Sequence, residues 1–279
     1  MSSLMRSRQN GRFLPDPRTA RLKHDIFAED LPSSAWLAGL LAADGHISTN
    51  LKGLTIAQSG PGGRALIEEI RRLTNHRLAI SVQQPARGRP SYSIHFSSAQ
   101  MVSDLQQRFR ITTRKSLTYE WPDPPGHLTT AFLRGYVDGD GCVGIYPTPQ
   151  GNPMLHLSFA GTPHFIQGAM RTVPAHGLYR VIKRCKSLAE ARYNGRHAWR
   201  AANWIFSDAA LFRSEKARNV DRYRAVLETD PPAWHEWARQ RAVAMSHLGA
   251  GETVAAAAEA AGVCEQTVYT WLARRRNGR

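Results

Sequence analysis

Two aspartates, Asp44 and Asp140, end two stretches that read alike: LAGLLAADG over residues 37–45 and LRGYVDGDG over residues 133–141. Leu, Gly, Asp and Gly recur at the same offsets in both. Two carboxylates held side by side repel one another unless cations sit between them. Oxygen-only ligands, completed by a phosphate and waters, suit Mg²⁺. The chemistry this opens is that of a divalent-metal site, where bound ions can position a water and neutralise negative charge on a substrate. A single Asp-Gly is an ordinary helix-ending turn. Two copies at matching places in a strongly basic chain read as a site. An EF-hand reading of Asp138-Gly139-Asp140 fails, because the later ligands, including the closing Glu, are missing.

What must position these acids is a pair of helices. Each stretch begins as an apolar, small-residue helix, and its duplication suggests two similar halves about a pseudo-two-fold axis. Gly39 and Ala43 lie one turn apart, and Gly135 and Gly139 repeat that spacing. Small residues so placed let two helices approach more closely than the usual separation of about 8–10 Å. Paired in parallel, the helices deliver Asp44 and Asp140 to one end. Neither stretch has the ~20 apolar residues of a membrane span.

These two stretches resemble the signature helices of the LAGLIDADG homing endonucleases, in the single-chain form that carries both motifs. The resemblance covers roughly residues 24 to 228. It implies a metal-dependent endonuclease that cuts both strands of a DNA duplex, with the metal bound by the last Asp of each motif, Asp44 and Asp140. It implies two or three Mg²⁺ ions, for which Mn²⁺ substitutes. Two departures stand out: Ala42 where the family name has Asp, a position the second copy keeps as Asp138, and Arg134 where a small residue is usual. The lysines add support. Only six exist, at positions 23, 52, 115, 183, 186 and 216. Lys115 follows Asp44, and Lys216 follows Asp140, at corresponding points of the repeat. In the family a lysine there lines the active site and supports the attacking water or the phosphate charge; otherwise Lys115 is a helix-cap cation and Lys216 a solvated helix-face charge. Gln58 matches a family glutamine that orients water.

Periodicity gives the remaining elements. In the first half the signature helix over Trp36 to Ala43, capped by Ser33 or Ser34, leads to strands at His46 to Thr49 and Gly53 to Ser59. A helix from Gly62 to Leu73, strands at Leu78 to Gln84 and Ser91 to Phe96, and a helix from Met101 to Phe109 follow. In the second half a helix over Thr130 to Val137 leads to strands at Cys142 to Tyr146 and Met154 to Ala160. Then come a helix through Phe165 to Val173, strands near Leu178 to Lys183 and Ala198 to Phe206, and a closing helix from about Asp208 to Leu227. The expected fold class is α+β: two pseudo-symmetric αββαββα halves, the homing-endonuclease saddle, plus a small all-α domain. Alternation that buries one sheet face turns the other outward, where two-stranded ribbons can enter the major groove. The outward residues expected to meet DNA are Gln83, Arg87, Arg89, Ser91, Ser93 and His95 in the first half. In the second they are Arg180, Lys183, Arg192, Arg196, Arg200 and Asn203.

Composition bounds the rest. A net charge of +15 over 279 residues points to a polyanion, and no long apolar segment favours a membrane. Cys142, Cys185 and Cys264 form no CxxC pair, so neither a disulfide framework nor a zinc site is expected. Residues 1–23 read as a flexible basic arm without a signal peptide. The expected setting is the cytoplasm of a prokaryote or a phage-infected cell.

Beyond a linker at residues 229–233, residues 234–279 carry a second pattern. A helix over Trp234 to Leu248 comes first. Ala258, Gly262, Val268 and Trp271 then match a helix-turn-helix: a first helix at Thr253 to Ala260, a turn through Ala261 to Cys264 and a recognition helix at Glu265 to Arg275. This resembles the small DNA-binding domains of resolvases and transposases. Gln266, Thr267, Tyr269 and Thr270 would face the major groove, with Arg274, Arg275 and Arg276 on phosphates. The alternative is an Ala-rich helical hairpin packed on the main domain.

Together these readings describe a monomeric, Mg²⁺-dependent endonuclease specific for a long site in double-stranded DNA, with no intein at its ends and so free-standing. The rivals are an RNA maturase on the same fold and a non-cutting DNA-binding regulator.

Overall fold

The computed structural model of the chain describes residues 8–9, 12–13, 22–60, 62–77, 79–149, 151–182, 187–208, 210–212, 214–229 and 232–276. The chain divides into two compact units, one of Met1–Tyr146 with Met154–Val220 and the other of Pro147–Pro153 with Asp221–Arg279.

The first unit opens with two short strands, β1 (Arg8–Gln9) and β2 (Arg12–Phe13), paired antiparallel where a flexible arm is expected from the sequence. The first half then runs α1 (Pro32–Asp44), β3 (Gly45–Ile47), β4 (Leu54–Ser59), α2 (Gly63–Leu73), β5 (Ser81–Gln83), β6 (Ser91–Phe96) and α3 (Ala99–Phe109). A single turn, α4 (Lys115–Thr118), leads to the second half: α5 (Gly126–Asp140), β7 (Gly141–Pro147), β8 (Pro153–Gly161), α6 (Pro163–Thr172), β9 (Leu178–Val181), β10 (Ala189–Asn194) and α7 (Gly195–Ile205). Helix α8 (Glu215–Thr229) follows and crosses into the second unit. Both halves are αββαββα, and their antiparallel sheets share one strand order, β3-β4-β6-β5 and β7-β8-β10-β9. The fold is α+β, as the sequence predicts.

Each element follows from local chemistry. In α2 the buried Leu66, Ile67 and Ile70 share one face, while Arg64–Glu68 and Arg72–Glu69 pair on the exposed one. Ser98 caps α3 and Thr162 caps α6, each accepting from a backbone N–H 3.2 Å away. Helix α1 departs from the expected serine cap. Its N-cap is Leu31 and no side chain caps it, because Pro32 at the first position presets φ and has no N–H to satisfy. Ser34 to Ala42 are all buried, as a helix that is apolar all round must be.

Two expectations in the second half fail together. Ala198–Phe206 is not a strand; α7 covers it, and the fourth strand is Ala189–Asn194. Ala198, Ala201, Ala202 and Ile205 are the buried residues of α7, a helical spacing. The strand is hard to see in sequence because its buried face is Ala189, Ala191 and Tyr193, with little bulk to mark alternation. The expected closing helix from Asp208 begins only at Glu215, and the described residues between α7 and α8 belong to no helix or strand.

In the second unit, α9 (Ala233–Gly249), α10 (Val254–Ala261) and α11 (Glu265–Arg276) pack on one another. Their core is Ala244, Ala257, Ala258, Ala261, Val268 and Trp271. Thr253 caps α10, accepting from the Ala256 N–H at 3.2 Å. Gly262 ends α10 at φ 65°, a left-handed position that glycine fills without a Cβ penalty.

Candidate active site

Helices α1 and α5 meet backbone to backbone. A Cβ added to Gly39 would lie 1.9 Å from the Phe132 carbonyl oxygen, and one added to Gly135 would lie 1.8 Å from that of Trp36. The two approaches are reciprocal, as a pseudo-two-fold axis requires. One turn on, a Cβ on Gly139 would lie 2.5 Å from Ala43 Cβ and 2.9 Å from Asp44 Oδ2. The close approaches advance in step along both helices, so the pair is parallel and Asp44 and Asp140 emerge at one end.

The carboxylates open to solvent, yet the ground beneath them is charged and buried. Asp140 is held above the ordinary carboxylate range by burial and then by the charge of Asp44, against the pull of Lys115 and Lys216. Lys115 is buried, and its Nζ donates to the carbonyls of Ala42 (2.8 Å) and Ala43 (2.6 Å). The Lys216 Nζ donates to those of Val137, Asp138 and Gly139 at 2.7–2.8 Å. Each amine therefore caps the C-terminus of a signature helix, where a cation also meets the helix dipole. Burial lowers the pKa of both; Asp140 and then Asp44 oppose it at Lys115, and Asp138 and then Asp44 at Lys216.

Two clefts flank the helix ends. One brings Lys115, Tyr136 and Asp140 together with Ala160 and Gly161 from the end of β8. The other brings Lys216 and Gly139 together with Gln58 from the end of β4. The clefts match in plan and differ in chemistry: Gln58 Nε2 donates to Asp44 Oδ2 at 2.5 Å, whereas Ala160 and Gly161 carry no side-chain donor. The second copy also holds a buried polar group with a role the sequence does not reveal. Asp138 accepts from Trp36 Nε1 (2.8 Å) and Ser214 Oγ (2.5 Å). Burial raises its pKa, opposed by those two hydrogen bonds and by Arg134. No sequence signal marks Trp36 or Ser214 as its partners.

The outward faces carry six of the twelve residues that the two sheets are expected to bring to DNA. In the first sheet Gln83 pairs with Ser91, Ser81 with Ser93 and Thr55 with His95, so these lie on one polar face. Thr55 Oγ1 and His95 Nδ1 are 2.9 Å apart; Thr55, its neighbour His46 and Ser81 belong to this face and escape the sequence reading. Arg87 and Arg89 are exposed in the β5–β6 turn. In the second sheet Arg180 and Arg192 lie on the outward face, opposite Glu190 and Ser158 respectively. Arg192 is tied to Glu190 at 2.9 Å. Arg196, Arg200 and Asn203 are exposed on α7 rather than on the sheet. Lys183 lies outside the described residues. In α11, Gln266, Tyr269 and Thr270 are exposed on the side away from Val268 and Trp271, whereas Thr267 lies one turn before Trp271 on its face and is half-buried. Arg274, Arg275 and Arg276 end that helix.

Among the described residues no group of three or more His, Cys, Asp or Glu gathers to hold a metal. No described helix is long and apolar enough to cross a membrane. No protein-family model and no curated protein matches the chain. The structural neighbours are LAGLIDADG homing endonucleases. The meganuclease I-SmaMI bound to uncleaveable DNA has TM-score 0.49 at 10% identity, over 73% of this chain and 92% of its own. The LAGLIDADG homing endonuclease I-GzeII in complex with its DNA target has TM-score 0.48 at 12% identity, over 72% and 91%. I-DmoI in complex with DNA and Ca has TM-score 0.46 at 12% identity, over 71% and 99%. The fold of the present chain stands on its own strand order and on the glycine-mediated pairing of α1 with α5.

Proposed function

We propose that this chain is a site-specific endonuclease that hydrolyses both strands of double-stranded DNA with divalent metal. The observation that carries the reading is the parallel α1–α5 pair, which delivers two carboxylates to one end between two lysine-bearing clefts. The donor set fits a hard cation. Two solvent-open carboxylates lie close enough for one to raise the pKa of the other, and oxygen ligands from phosphate and water would complete the shell. Asp44 and Asp140 would hold Mg²⁺, which when bound neutralises phosphate charge and lowers the barrier to attack by water. The chain's own groups do the rest. Lys115 and Lys216 bring fixed positive charge to the clefts, anchored on helix-end carbonyls. Gln58 orients the Asp44 carboxylate. The polar outward faces, with Gln83, Ser91, Ser93, His95, Arg180 and Arg192, fit the major groove, and Arg87 and Arg89 fit flanking phosphates.

The same reading gives the second unit a DNA-binding role as a helix-turn-helix. Gln266, Thr267, Tyr269 and Thr270 on α11 would meet base edges, and Arg274, Arg275 and Arg276 phosphates. Glycine at the α10–α11 turn and a Val268–Trp271 core support it. The test is a cleavage selection on a randomised duplex library with Mg²⁺ or Ca²⁺. Discrete double-strand products are expected from the wild type with Mg²⁺ and none from Asp140→Asn, which should still bind. Normal cutting by Asp140→Asn would sink the metal assignment. Binding without any cutting by the wild type would favour a regulator.

A further inference from the structure

Arg134 stands on a signature helix where the first copy has Ala38, and it is 1% exposed. Its guanidinium donates to the backbone carbonyls of Asp208, Leu211 and Phe212 and lies 5.4 Å from the centre of the Phe206 ring. All four residues belong to the loop between α7 and α8. One turn further along α5, where the first copy has Ala42, Asp138 accepts from Ser214 at the end of that loop. The same Ser214 Oγ accepts the Ala217 N–H at 3.1 Å, capping the first turn of α8, and that turn carries Lys216. A continuous path of hydrogen bonds thus runs from two α5 side chains to the turn that holds Lys216. In the first half the matching positions are Ala38 and Ala42, whose side chains cannot hydrogen-bond, and α4, which carries Lys115, has no side-chain cap.

A buried ionic group is a poor way to add stability, because apolar residues of similar volume usually do as well or better. What it does supply is one fixed arrangement. We propose that Arg134 and Asp138 are positioning residues for Lys216: with Ser214 they clamp Asp208, Leu211 and Phe212, ahead of α8, onto α5 and so fix the lysine amine in the cleft it shares with Gln58. The inference rests on the endonuclease reading. It makes the two half-sites unequal in how they are built, since only the Lys216 cleft depends on the clamp. Loosening the clamp therefore slows one strand of the duplex and not the other.

The test uses the full chain and a duplex carrying the selected target, with each strand end-labelled in its own colour. Asp138→Asn keeps shape and removes charge; Arg134→Met keeps the stem and removes the guanidinium. A misplacement of about 1 Å costs on the order of a hundredfold in rate. Loss of that size is expected on one strand, with nicked duplex accumulating, and Lys216→Met should slow the same strand. Adding Asp138→Asn to Lys216→Met should slow it no further, because residues acting through one another are not additive. Hydrogen exchange should rise over residues 206–216 in Asp138→Asn and stay unchanged over residues 110–118. Equal slowing of both strands, or additive losses in the double variant, would overturn the proposal. If the Arg134→Met chain does not fold, the shape-preserving Asp138→Asn decides. If the wild type cuts no duplex, the endonuclease reading falls and exchange alone judges the clamp: unchanged protection over 206–216 would end it.

Discussion

Asp140 shows what a two-carboxylate site asks of the residues that form it. Its pKa is raised by burial and by Asp44, so in the interval between the unfolded and folded values the native state binds more protons than the unfolded chain. Stability falls as pH rises through that interval and stays reduced above it. Asp140→Asn removes the repulsion. In chelator near neutral pH the variant should melt above the wild type, by no more than about 1 kcal/mol because the group opens to solvent. The gain should vanish below about pH 4, where the wild-type carboxyl is protonated. Added Ca²⁺ should raise the melting temperature of the wild type and leave the variant unmoved. A variant less stable than the wild type at neutral pH would show that the acids do not strain one another. Asp44, Asp140, Lys115 and Lys216 are legible in the sequence because the chain repeats and each has a counterpart in the other copy. The roles of Arg134, Asp138 and Ser214 are not, because their counterparts are absent and their partners lie far along the chain.

At the scale of elements, everything near the site depends on how closely α1 and α5 approach. Gly39→Ala would drive a Cβ into the Phe132 carbonyl, against backbone that cannot give way like the end of a side chain. Overpacking of this kind costs about 1–3 kcal/mol, and here it also parts the two acids. Gly126→Ala at the start of α5 is the control, since a Cβ there meets nothing within 4 Å; it should stabilise by about 0.4–1 kcal/mol through the unfolded chain. Denaturant titration of both variants separates the outcomes, and equal effects would mean that the close approach is not limiting. The sequence shows this pair because small residues one turn apart are conspicuous. It hides β10 and α7 for the opposite reason. AEARYN buries only small residues and one tyrosine, while the alanines of α7 read as featureless, so charge draws attention where periodicity is the better guide.

The whole molecule adds a second unit with a core of its own, built on Trp271 and Val268 with four alanines. Its α11 presents a polar exposed face, and three arginines end that helix. If this unit binds DNA, the +15 net charge is spread over two DNA-facing regions and the salt dependence of binding is their joint signature. A chain ending at Thr229 keeps α8 whole and loses α9 to α11. Every phosphate that the protein no longer neutralises flattens the slope of log K against log salt by about 0.9, so the truncated chain should bind more weakly and with a shallower slope. Gln266→Ala and Tyr269→Ala should behave differently, weakening the selected target more than random duplex while leaving the slope in place, since hydrogen bonds to base edges release no counterions. Trp271→Ala, which empties the middle of the small core at about 3–5 kcal/mol, should reproduce the truncation in both affinity and slope. If truncation changes neither, α9 to α11 pack without touching DNA, and the helix-turn-helix reading gives way to that of a structural hairpin.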